Sequence, residues 1–173
     1  MKIHEIPPTK LRELQEISQI AYSTNFGHHW DGNGLEIYLQ DQFNEERLRR
    51  ELEDPEIGYY FVEEEGKVVG FAKMKWVSAL PGHSADSCCE LEKIYMLPAE
   101  KGKGLGRYTV QALIKQAITI GKTIFFLCVI DTNTAAMAFY QKLGFDFHSK
   151  TRLEAPLFKE ELKGMHRMYL QLT

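Results

Sequence analysis

The sequence predicts one α/β (α+β) domain, residues 1–173, with a mixed central sheet of about six to seven strands flanked by helices. Helical and strand patterns alternate along the chain. Residues 123–130 (TIFFLCVI) form a short, continuously apolar run, which is typical of a strand buried on both faces. A glycine-rich turn at 98–106 separates a strand pattern from an amphipathic helix pattern.

The first third of the chain is predicted to be mostly helical. Residues 1–6 alternate weakly and indicate a short edge strand. Apolar residues at helical spacing predict a helix over 10–23, and the segment 25–34, rich in Gly, Asn and Asp, predicts a loop. Two further helices are expected over 35–42 and 44–53.

Three strands follow in the middle of the chain. Residues 59–63 and 68–77 are expected to form a hairpin about the turn 65–67, with Gly70 as the position of a bulge. Residues 89–96 are expected to form the next strand. Its alternation places Glu90, Glu92 and Ile94 on one face, and Leu91, Lys93 and Tyr95 on the other.

The second half of the chain alternates between helices and strands. A clear apolar stripe predicts a helix from the glycine-rich turn to Gly121, and the next helix is expected over 132–143. Residues 145–148 and 165–172 are expected to be the closing strands. No internal repeat or linker divides the chain.

The net charge of −3 hides an uneven distribution of charged residues. Residues 1–60 contain 6 basic and 12 acidic side chains, whereas residues 61–173 contain 15 basic and 12 acidic ones. This division indicates two kinds of ligand, although solvated acidic helix faces would explain it equally well. A nucleic-acid partner is not expected, because the chain is net acidic and its basic residues do not form a stripe.

Composition excludes several other classes of protein. With 44% hydrophobic and 26% charged residues, the chain is neither disordered nor fibrous. No apolar run approaches about 18 residues, so no membrane partner is expected. The first residues lack the apolar core of a signal peptide, so a cytoplasmic location is expected. The three cysteines lack the spacing of a metal site.

The strongest chemical signal is the glycine-rich turn, PAEKGKGLG at 98–106. A helix that begins after such a turn presents backbone N–H groups to an anion, and Lys101, Lys103 and Arg107 add positive charge. The spacing matches neither the P-loop pattern GxxxxGK(S/T) nor the dinucleotide pattern GxGxxG. Taken alone, the turn indicates either a phosphate site or simply the start of a helix.

A second motif, NTAAMAFYQKLGF at 133–145, follows the apolar strand. Together with LEKIYMLPAEKGKGLG at 91–106, it resembles the two signature motifs of the GCN5-related N-acetyltransferase (GNAT) family. The resemblance covers about residues 58–172. It departs from the family pattern at Lys101, where the family usually has Arg or Gln. The resemblance implies the GNAT fold, in which the fourth and fifth strands are splayed apart.

The resemblance also implies acetyl-coenzyme A (acetyl-CoA) as co-substrate, lying between the splayed strands, and no metal. By similarity, the pantetheine arm would pair with the backbone of Ile94, Tyr95 and Met96. The pyrophosphate would be cradled by Lys101, Gly102, Lys103, Gly104, Leu105, Gly106 and Arg107. On the helix after the fifth strand, the residues implied in cofactor binding are Asn133, Ala136 and Tyr140.

The same resemblance suggests the catalytic residues. An ammonium group cannot attack a thioester, so a base must remove a proton near neutral pH. Glu92 is the better match to the family position of that base, directly or through water, and Glu90 is the alternative. Two close carboxylates are expected to raise each other's pKa, which suits such a base. Tyr140 matches the family tyrosine that protonates the leaving thiolate, although its ring would also fit as a packing residue.

The acceptor side is expected to be built by residues 1–57, ahead of the acetyl-CoA-binding core at 58–173. Acidic side chains at 45–56 would favour a cationic amine. Three aromatic residues would line its site through cation–π contacts, or serve only as core residues: Trp30, Tyr38 and Phe43.

The identity of the acceptor stays open between several classes. Segments of residues 22–52 resemble the bacterial spermidine/spermine N-acetyltransferase branch of the family, which implies a polyamine or another small-molecule amine. A protein N-terminus or lysine, or an amine-bearing antibiotic or metabolite, is an alternative. A domain that binds acyl-CoA without catalysis is another. Relatives often dimerise, so the segment 149–164, with Leu157 and Phe158 exposed, is expected at a homodimer contact or as a substrate lid.

Overall fold

The computed structural model describes residues 1–173 and contains five α-helices and seven β-strands. The helices are α1 (Leu11–Phe26), α2 (Gly34–Gln42), α3 (Glu45–Leu52), α4 (Leu105–Thr119) and α5 (Thr134–Gln141). The strands are β1 (Lys2–Glu5), β2 (Ile57–Glu64), β3 (Lys67–Lys75), β4 (Cys88–Met96), β5 (Ile124–Ile130), β6 (Asp146–Arg152) and β7 (Gly164–Gln171). Every element that the sequence predicts is present. None of the helices is both long enough and apolar enough to span a membrane.

The strands form one sheet in the order β1-β2-β3-β4-β5-β7-β6. All neighbouring strands are antiparallel except β4 and β5, which are parallel. Their pairing extends from Cys88 opposite Ile124 to Leu91 opposite Leu127 and stops there. The C-terminal parts of the two strands therefore separate. This mixed sheet of seven strands, with a splay between the fourth and fifth strands, has the predicted architecture.

The sheet separates two apolar cores. On one face, helices α1 to α3 cover Tyr59, Phe61 and Phe71. On the other face, α4 and α5 cover Met74 and Leu127. Each of these side chains is buried, and burying a large apolar side chain contributes about 1.5–3 kcal/mol. Helices α1 to α3 therefore share a core with β2 and β3 and are not an independent layer.

The hairpin between β2 and β3 has the turn that the sequence predicts. Glu65 and Gly66 have φ values of 51° and 78°, the left-handed pair that a tight type I′ turn requires. The register between the strands shifts at Val69, one residue before the predicted bulge at Gly70. A β-carbon on Gly70 would lie 2.5 Å from Met96 Sδ, so only glycine lets β3 approach the end of β4 this closely.

A second register shift lies in β4. Lys93 pairs with Lys73, whereas Leu91 pairs with Met74, so Glu92 is an extra residue in the strand. A β-bulge of this kind interrupts the alternation of side chains between the two faces. The sequence showed no sign of it, because the bulge depends on pairing with another strand.

The bulge makes the strict alternation predicted for β4 wrong. Lys93 lies beside Glu92, and its Nζ donates to Glu92 Oε1 (3.0 Å). Ile94 packs against the core under α4 and α5 instead of sharing a face with Glu92, while Tyr95 packs against the core under α1 to α3. Glu90 stays on the same face as Glu92, as predicted, since one lysine, Lys75, approaches both carboxylates.

The segment that joins β6 to β7 folds back over the connection between α1 and α2. Asp31 N–H donates to Leu157 O (2.9 Å), which ties the two segments together. Phe158 is only 4% exposed, because it packs against Trp30. The expectation that Phe158 is exposed is therefore wrong, whereas Leu157 is 37% exposed.

Candidate active site

Beyond residue 91, β4 and β5 line the two sides of a gap in the sheet. Leu97 N–H donates to Val69 O on β3 (2.9 Å). Successive N–H groups of a strand point to alternate sides, so the N–H groups of Ile94 and Met96 point away from β3, towards the gap. An extended molecule in the gap can therefore pair with β4 as an added strand does. At the end of the strand, Met96 O accepts a hydrogen bond from Asn25 Nδ2 on α1 (2.9 Å).

The glycine-rich turn follows β4 at the end of the gap. Gly102 and Gly104 both have a φ of 81°, a left-handed conformation that favours glycine. Gly104 is the N-cap of α4. The backbone N–H groups from Gly102 to Arg107 make no hydrogen bond within the protein. They point outward from a helix N-terminus, which carries a partial positive charge.

Three cationic side chains accompany these N–H groups. Lys101 and Arg107 are exposed and form no ion pair, whereas Lys103 pairs with Glu100 (2.7 Å). N–H groups at a helix N-terminus together with cationic side chains are what a pyrophosphate group requires. All seven residues predicted for the turn, 101–107, lie together in this arrangement.

Helix α5 follows β5, on the other side of the gap. Asn133 caps the helix, because its Oδ1 accepts the N–H of Ala136 (3.0 Å). This gives Asn133 a structural role that the sequence did not predict. Phe139 packs over Gly106, where a β-carbon would lie 3.6 Å from the ring, so α5 closely approaches the first turn of α4. Tyr140 is 9% exposed, and burial raises the pKa of Tyr140 to about 12, so its hydroxyl keeps its proton near neutral pH.

Glu92 lies in a cluster of ion pairs at the bulge of β4. Its Oε2 is 2.7 Å from Lys73 Nζ, an ion pair without the alignment of a hydrogen bond. Its Oε1 is 3.0 Å from Lys93 Nζ and 3.6 Å from Lys75 Nζ. Burial alone would raise the pKa of Glu92, but the three lysines outweigh burial and lower the pKa to about 2. The expectation of a raised pKa is therefore wrong for Glu92, since its nearest charges are ammonium groups.

Glu90 lies earlier in the same strand and has fewer ionic partners. Ser78 Oγ donates to Glu90 Oε2 (2.8 Å), and Lys75 Nζ lies 3.7 Å from the same oxygen. The two carboxylates that the sequence predicts thus share a face, but their surroundings differ. Glu92 is surrounded by lysines, whereas Glu90 is held mainly by a neutral hydroxyl.

Aromatic side chains of α1 and α2 cover Tyr95 on the acceptor side of the sheet. Tyr22 stacks on Tyr38 with ring centroids 4.3 Å apart, and lies 5.6 Å from the ring of Tyr95. Burial raises the pKa of Tyr38, so its hydroxyl stays neutral. Trp30 and Tyr38 are partly exposed, but Phe43 is fully buried. The cation–π contact expected of Phe43 is therefore wrong, because no acceptor can reach its ring.

The acidic side chains at 45–56 do not form one free surface. Glu45 pairs with Arg49 on the exposed side of α3. Glu51 is 6% exposed, and its Oε1 pairs with Lys73 Nζ (2.9 Å) and Arg47 Nε (3.0 Å). The acidic residues of this segment that are exposed and form no ion pair are Glu46, Glu53 and Glu56.

The profile of the acetyltransferase (GNAT) family matches residues 12–145. This match spans both sequence motifs and the gap between β4 and β5. The chain belongs to the GNAT family. It is therefore an acyltransferase, an N-acetyltransferase that depends on acetyl-CoA as co-substrate.

Sequence relatives and solved structures agree with membership of the GNAT family. An uncharacterized N-acetyltransferase from the pepI 3′ region of Lactobacillus delbrueckii subsp. lactis is 25% identical over 144 residues, which cover 83% of each chain. The spermine/spermidine N(1)-acetyltransferase of Bacillus subtilis strain 168 is 27% identical over 95 residues, 54% of this chain and 60% of the relative. The crystal structure of the PaiA N-acetyltransferase from Thermoplasma acidophilum in complex with coenzyme A has a TM-score of 0.78, at 17% identity and 98% coverage of each chain. At that identity the structural likeness shows the GNAT fold alone.

Within this GNAT site, sequence reasoning missed the buried charges around Glu92. Lys73 and Lys93 are only 1% and 4% exposed, and Glu51 joins them from α3. One signal was present, since Lys73 interrupts a largely apolar strand, GFAKMKW at 70–76. A lysine in a buried strand requires a counter-charge. The sequence does not say which carboxylate supplies it.

Proposed function

We propose that this GNAT enzyme transfers an acetyl group from acetyl-CoA directly to a primary amine, with the gap and the glycine-rich turn as the acetyl-CoA site. The observation that supports the site best is the row of N–H groups at 102–107 without partners in the protein, beside two unpaired cations. The pyrophosphate binds at this turn. The pantetheine arm pairs with the backbone of residues 94–96. Helix α5, which is capped by Asn133 and has Ala136 in its first turn, closes the other side.

Tyr140 is the proposed acid of the reaction. The amine nitrogen forms a bond to the acetyl carbon, the carbon–sulfur bond breaks, and the departing thiolate takes the hydroxyl proton of Tyr140. The nitrogen of the new amide releases its extra proton to water, and the phenolate of Tyr140 regains a proton from water. The raised pKa of Tyr140 keeps that proton in place until the thiolate develops. A backbone N–H that faces the gap, that of Met96, stabilises the oxyanion of the tetrahedral intermediate.

The two carboxylates of β4 are proposed to serve the acceptor amine. The acceptor arrives as an ammonium ion and must lose a proton before it attacks. The low pKa of Glu92 makes it a poor proton acceptor, so Glu92 is proposed to orient the amine by accepting a hydrogen bond from it. The proton passes to Glu90 through water.

For the acceptor, we propose a polyamine such as spermidine or spermine. The resemblance to the spermine/spermidine N(1)-acetyltransferase of Bacillus subtilis supports this proposal. The exposed carboxylates Glu46, Glu53 and Glu56 on the acceptor side also support it, since they attract a molecule with several ammonium groups. The pairing of Glu51 and Glu92 with lysines favours the alternative, a protein N-terminus or lysine, which brings only one ammonium group to the site.

An acetylation screen with labelled acetyl-CoA tests the proposed acceptor. Spermidine and spermine are expected to be acetylated faster than peptides with a free N-terminus or a lysine. The polyamine proposal is wrong if spermidine, spermine and putrescine are all inert while a peptide reacts. If the protein binds coenzyme A in calorimetry but acetylates no amine, it is a non-catalytic acyl-CoA-binding module.

A further inference from the structure

Lys73 is buried on the acceptor side of the sheet, between two carboxylates. It lies within β3, and only 1% of its surface is exposed. Its Nζ is 2.9 Å from Glu51 Oε1 and 2.7 Å from Glu92 Oε2. One ammonium group therefore links helix α3 to the bulge in β4.

Glu51 is itself held by two further groups. Tyr59 on β2 donates its hydroxyl to Glu51 Oε2, and Arg47, one turn earlier in α3, approaches Glu51 Oε1 at 3.0 Å. A buried charge is tolerated only when it is paired and hydrogen-bonded. Glu51 satisfies both conditions, so its charge is compensated at the α3 end of the link.

Glu92 is the extra residue of the bulge in β4. A bulge re-aims the side chains of its strand, and here it brings Glu92 and Lys93 into one group of charges. The charged groups around Glu92 are Lys73 and Lys75 on β3, Lys93 and Glu90 on β4, and Glu51 and Arg47 on α3. The neutral hydroxyls that face this cluster belong to Tyr38, Tyr59 and Tyr95.

We propose that Lys73, anchored by Glu51, is a positioning residue that holds the Glu92 carboxylate in its charged form and directs it at the acceptor amine. The inference rests on the proposed function, in which Glu92 orients that amine. It couples α3, a helix of the acceptor-side segment, to the catalytic strand β4. Arg47 and Tyr59 act one step further out, by holding Glu51.

Loss of the ammonium group of Lys73 would change two properties of Glu92. The carboxylate would lose its contact at Oε2, which is the shortest of its three contacts with lysines. Its pKa would also rise towards that of an ordinary carboxyl group, since a nearby positive charge favours the ionised form. A lysine with a merely structural role would affect stability without affecting turnover.

The variant Lys73→Met tests the proposal, with ¹³C NMR of the Glu92 carboxyl group and steady-state kinetics as readouts. In the native enzyme the Glu92 signal is expected to stay constant between about pH 4 and about pH 8, whereas in Lys73→Met it titrates within that range. We expect kcat to fall about 10- to 100-fold, with the acid limb of its pH profile moved to higher pH and an unchanged KM for acetyl-CoA. Lys73→Arg keeps the charge and is expected to recover part of kcat.

Glu51→Gln is a second test, which keeps the ammonium group and removes its anchor. We expect kcat to fall while the Glu92 signal stays constant between about pH 4 and about pH 8, because loss of a neighbouring negative charge favours the ionised form. Both variants thus lower kcat, but only Lys73→Met is expected to make Glu92 titrate in that range. Tyr60→Phe is the matched control. It removes a buried tyrosine hydroxyl of β2 that bonds to Gln116 on the other face of the sheet (2.8 Å), and it is expected to leave kcat and the titration of Glu92 unchanged.

The proposal is wrong if folded Lys73→Met or Glu51→Gln keeps the native kcat, or if the Glu92 carboxyl group titrates normally in the native enzyme. It is also wrong if Glu92→Gln turns over as fast as the native protein. A native protein that acetylates no amine would instead contradict the proposed function. In that case the NMR titration still decides whether Lys73 holds Glu92 in its charged form.

Discussion

At the scale of single residues, the charges around Glu92 decide which chemistry it can perform. An amine of ordinary pKa, about 10, holds its proton far more tightly than a carboxylate whose pKa is about 2. Each pKa unit of that difference is about 1.4 kcal/mol, so direct proton transfer to Glu92 is strongly uphill. Its negative charge, by contrast, is present at every pH at which the enzyme works. Orienting the acceptor through a hydrogen bond to this carboxylate is therefore the role proposed for Glu92.

The ion pairs of Glu92 also make protein stability depend on pH. The folded pKa, about 2, lies below the ordinary value of 4.5, so ionised Glu92 stabilises the folded state above the ordinary pKa. That contribution is lost as the pH falls from 4.5 through about 2. Near neutral pH, we expect the unfolding free energy of the native protein to exceed that of Glu92→Gln by about 3 kcal/mol. Below about pH 4.5, this difference is expected to decrease as the pH falls. Urea unfolding at a series of pH values measures the difference, and a constant difference would contradict the assignment.

Tyr140 is the second residue whose role can be isolated. Tyr140→Phe removes the hydroxyl and keeps the buried ring, so kcat is expected to fall about 10²- to 10⁴-fold while the dissociation constant of coenzyme A stays unchanged. Tyr108→Phe, on the exposed side of α4, is the control and should alter neither quantity. Native turnover in Tyr140→Phe would show that Tyr140 only packs against its neighbours.

At the scale of secondary-structure elements, the glycine-rich turn and α4 together form the proposed anion site. Gly104→Ala places a side chain at a φ of 81°, which is expected to lower the unfolding free energy by about 1 kcal/mol and to raise the KM for acetyl-CoA. Gly121→Ala is a matched control, since Gly121 lies just past the other end of α4 with a φ of 80° and equally open surroundings. It should lose the same stability without a change in KM. An equal rise of KM in both variants would mean that the affinity depends on α4 as a whole and not on the turn.

The strands show where prediction from sequence reaches its limit. The hairpin turn at Glu65 and Gly66 could be predicted because a short local pattern decides its conformation. The bulge at Glu92 could not, because it reflects how β4 pairs with β3 and leaves no mark on the apolar pattern of β4 itself. One extra residue brought Lys93 beside Glu92 and thereby changed the expected electrostatics of the site.

At the scale of the whole molecule, helices α1 to α3 and the strands of the sheet depend on one another. Tyr59, Phe61 and Phe71 are at most 2% exposed, because α1 to α3 cover them. A fragment of residues 58–173 would expose these rings to water, so we expect it not to fold alone. Near-ultraviolet circular dichroism and urea unfolding would show this as a loss of the cooperative transition. A native-like transition in the fragment would instead make residues 1–57 a separate unit.

The uneven distribution of charge also has a different meaning in the folded molecule. Some of the acidic residues in the first third form ion pairs within the protein. Glu45 pairs with Arg49 on the surface, and Glu51 pairs with the buried Lys73. The cations of the glycine-rich turn, Lys101 and Arg107, stay unpaired. The charge pattern is therefore a better guide to the coenzyme A site than to the acceptor.

The sequence by itself determined the order and type of the elements, the glycine-rich turn and the family, because periodicity and short motifs are properties of single segments. Only the tertiary structure decided that neighbouring lysines keep the buried Glu92 ionised, and that Phe43 and Phe158 are buried. It also decided that Lys73 pairs with Glu51, which lies 22 residues away in the chain. Ionisation and burial depend on the charges and side chains that surround a group in space. Those neighbours come from distant parts of the chain, and folding alone brings them together.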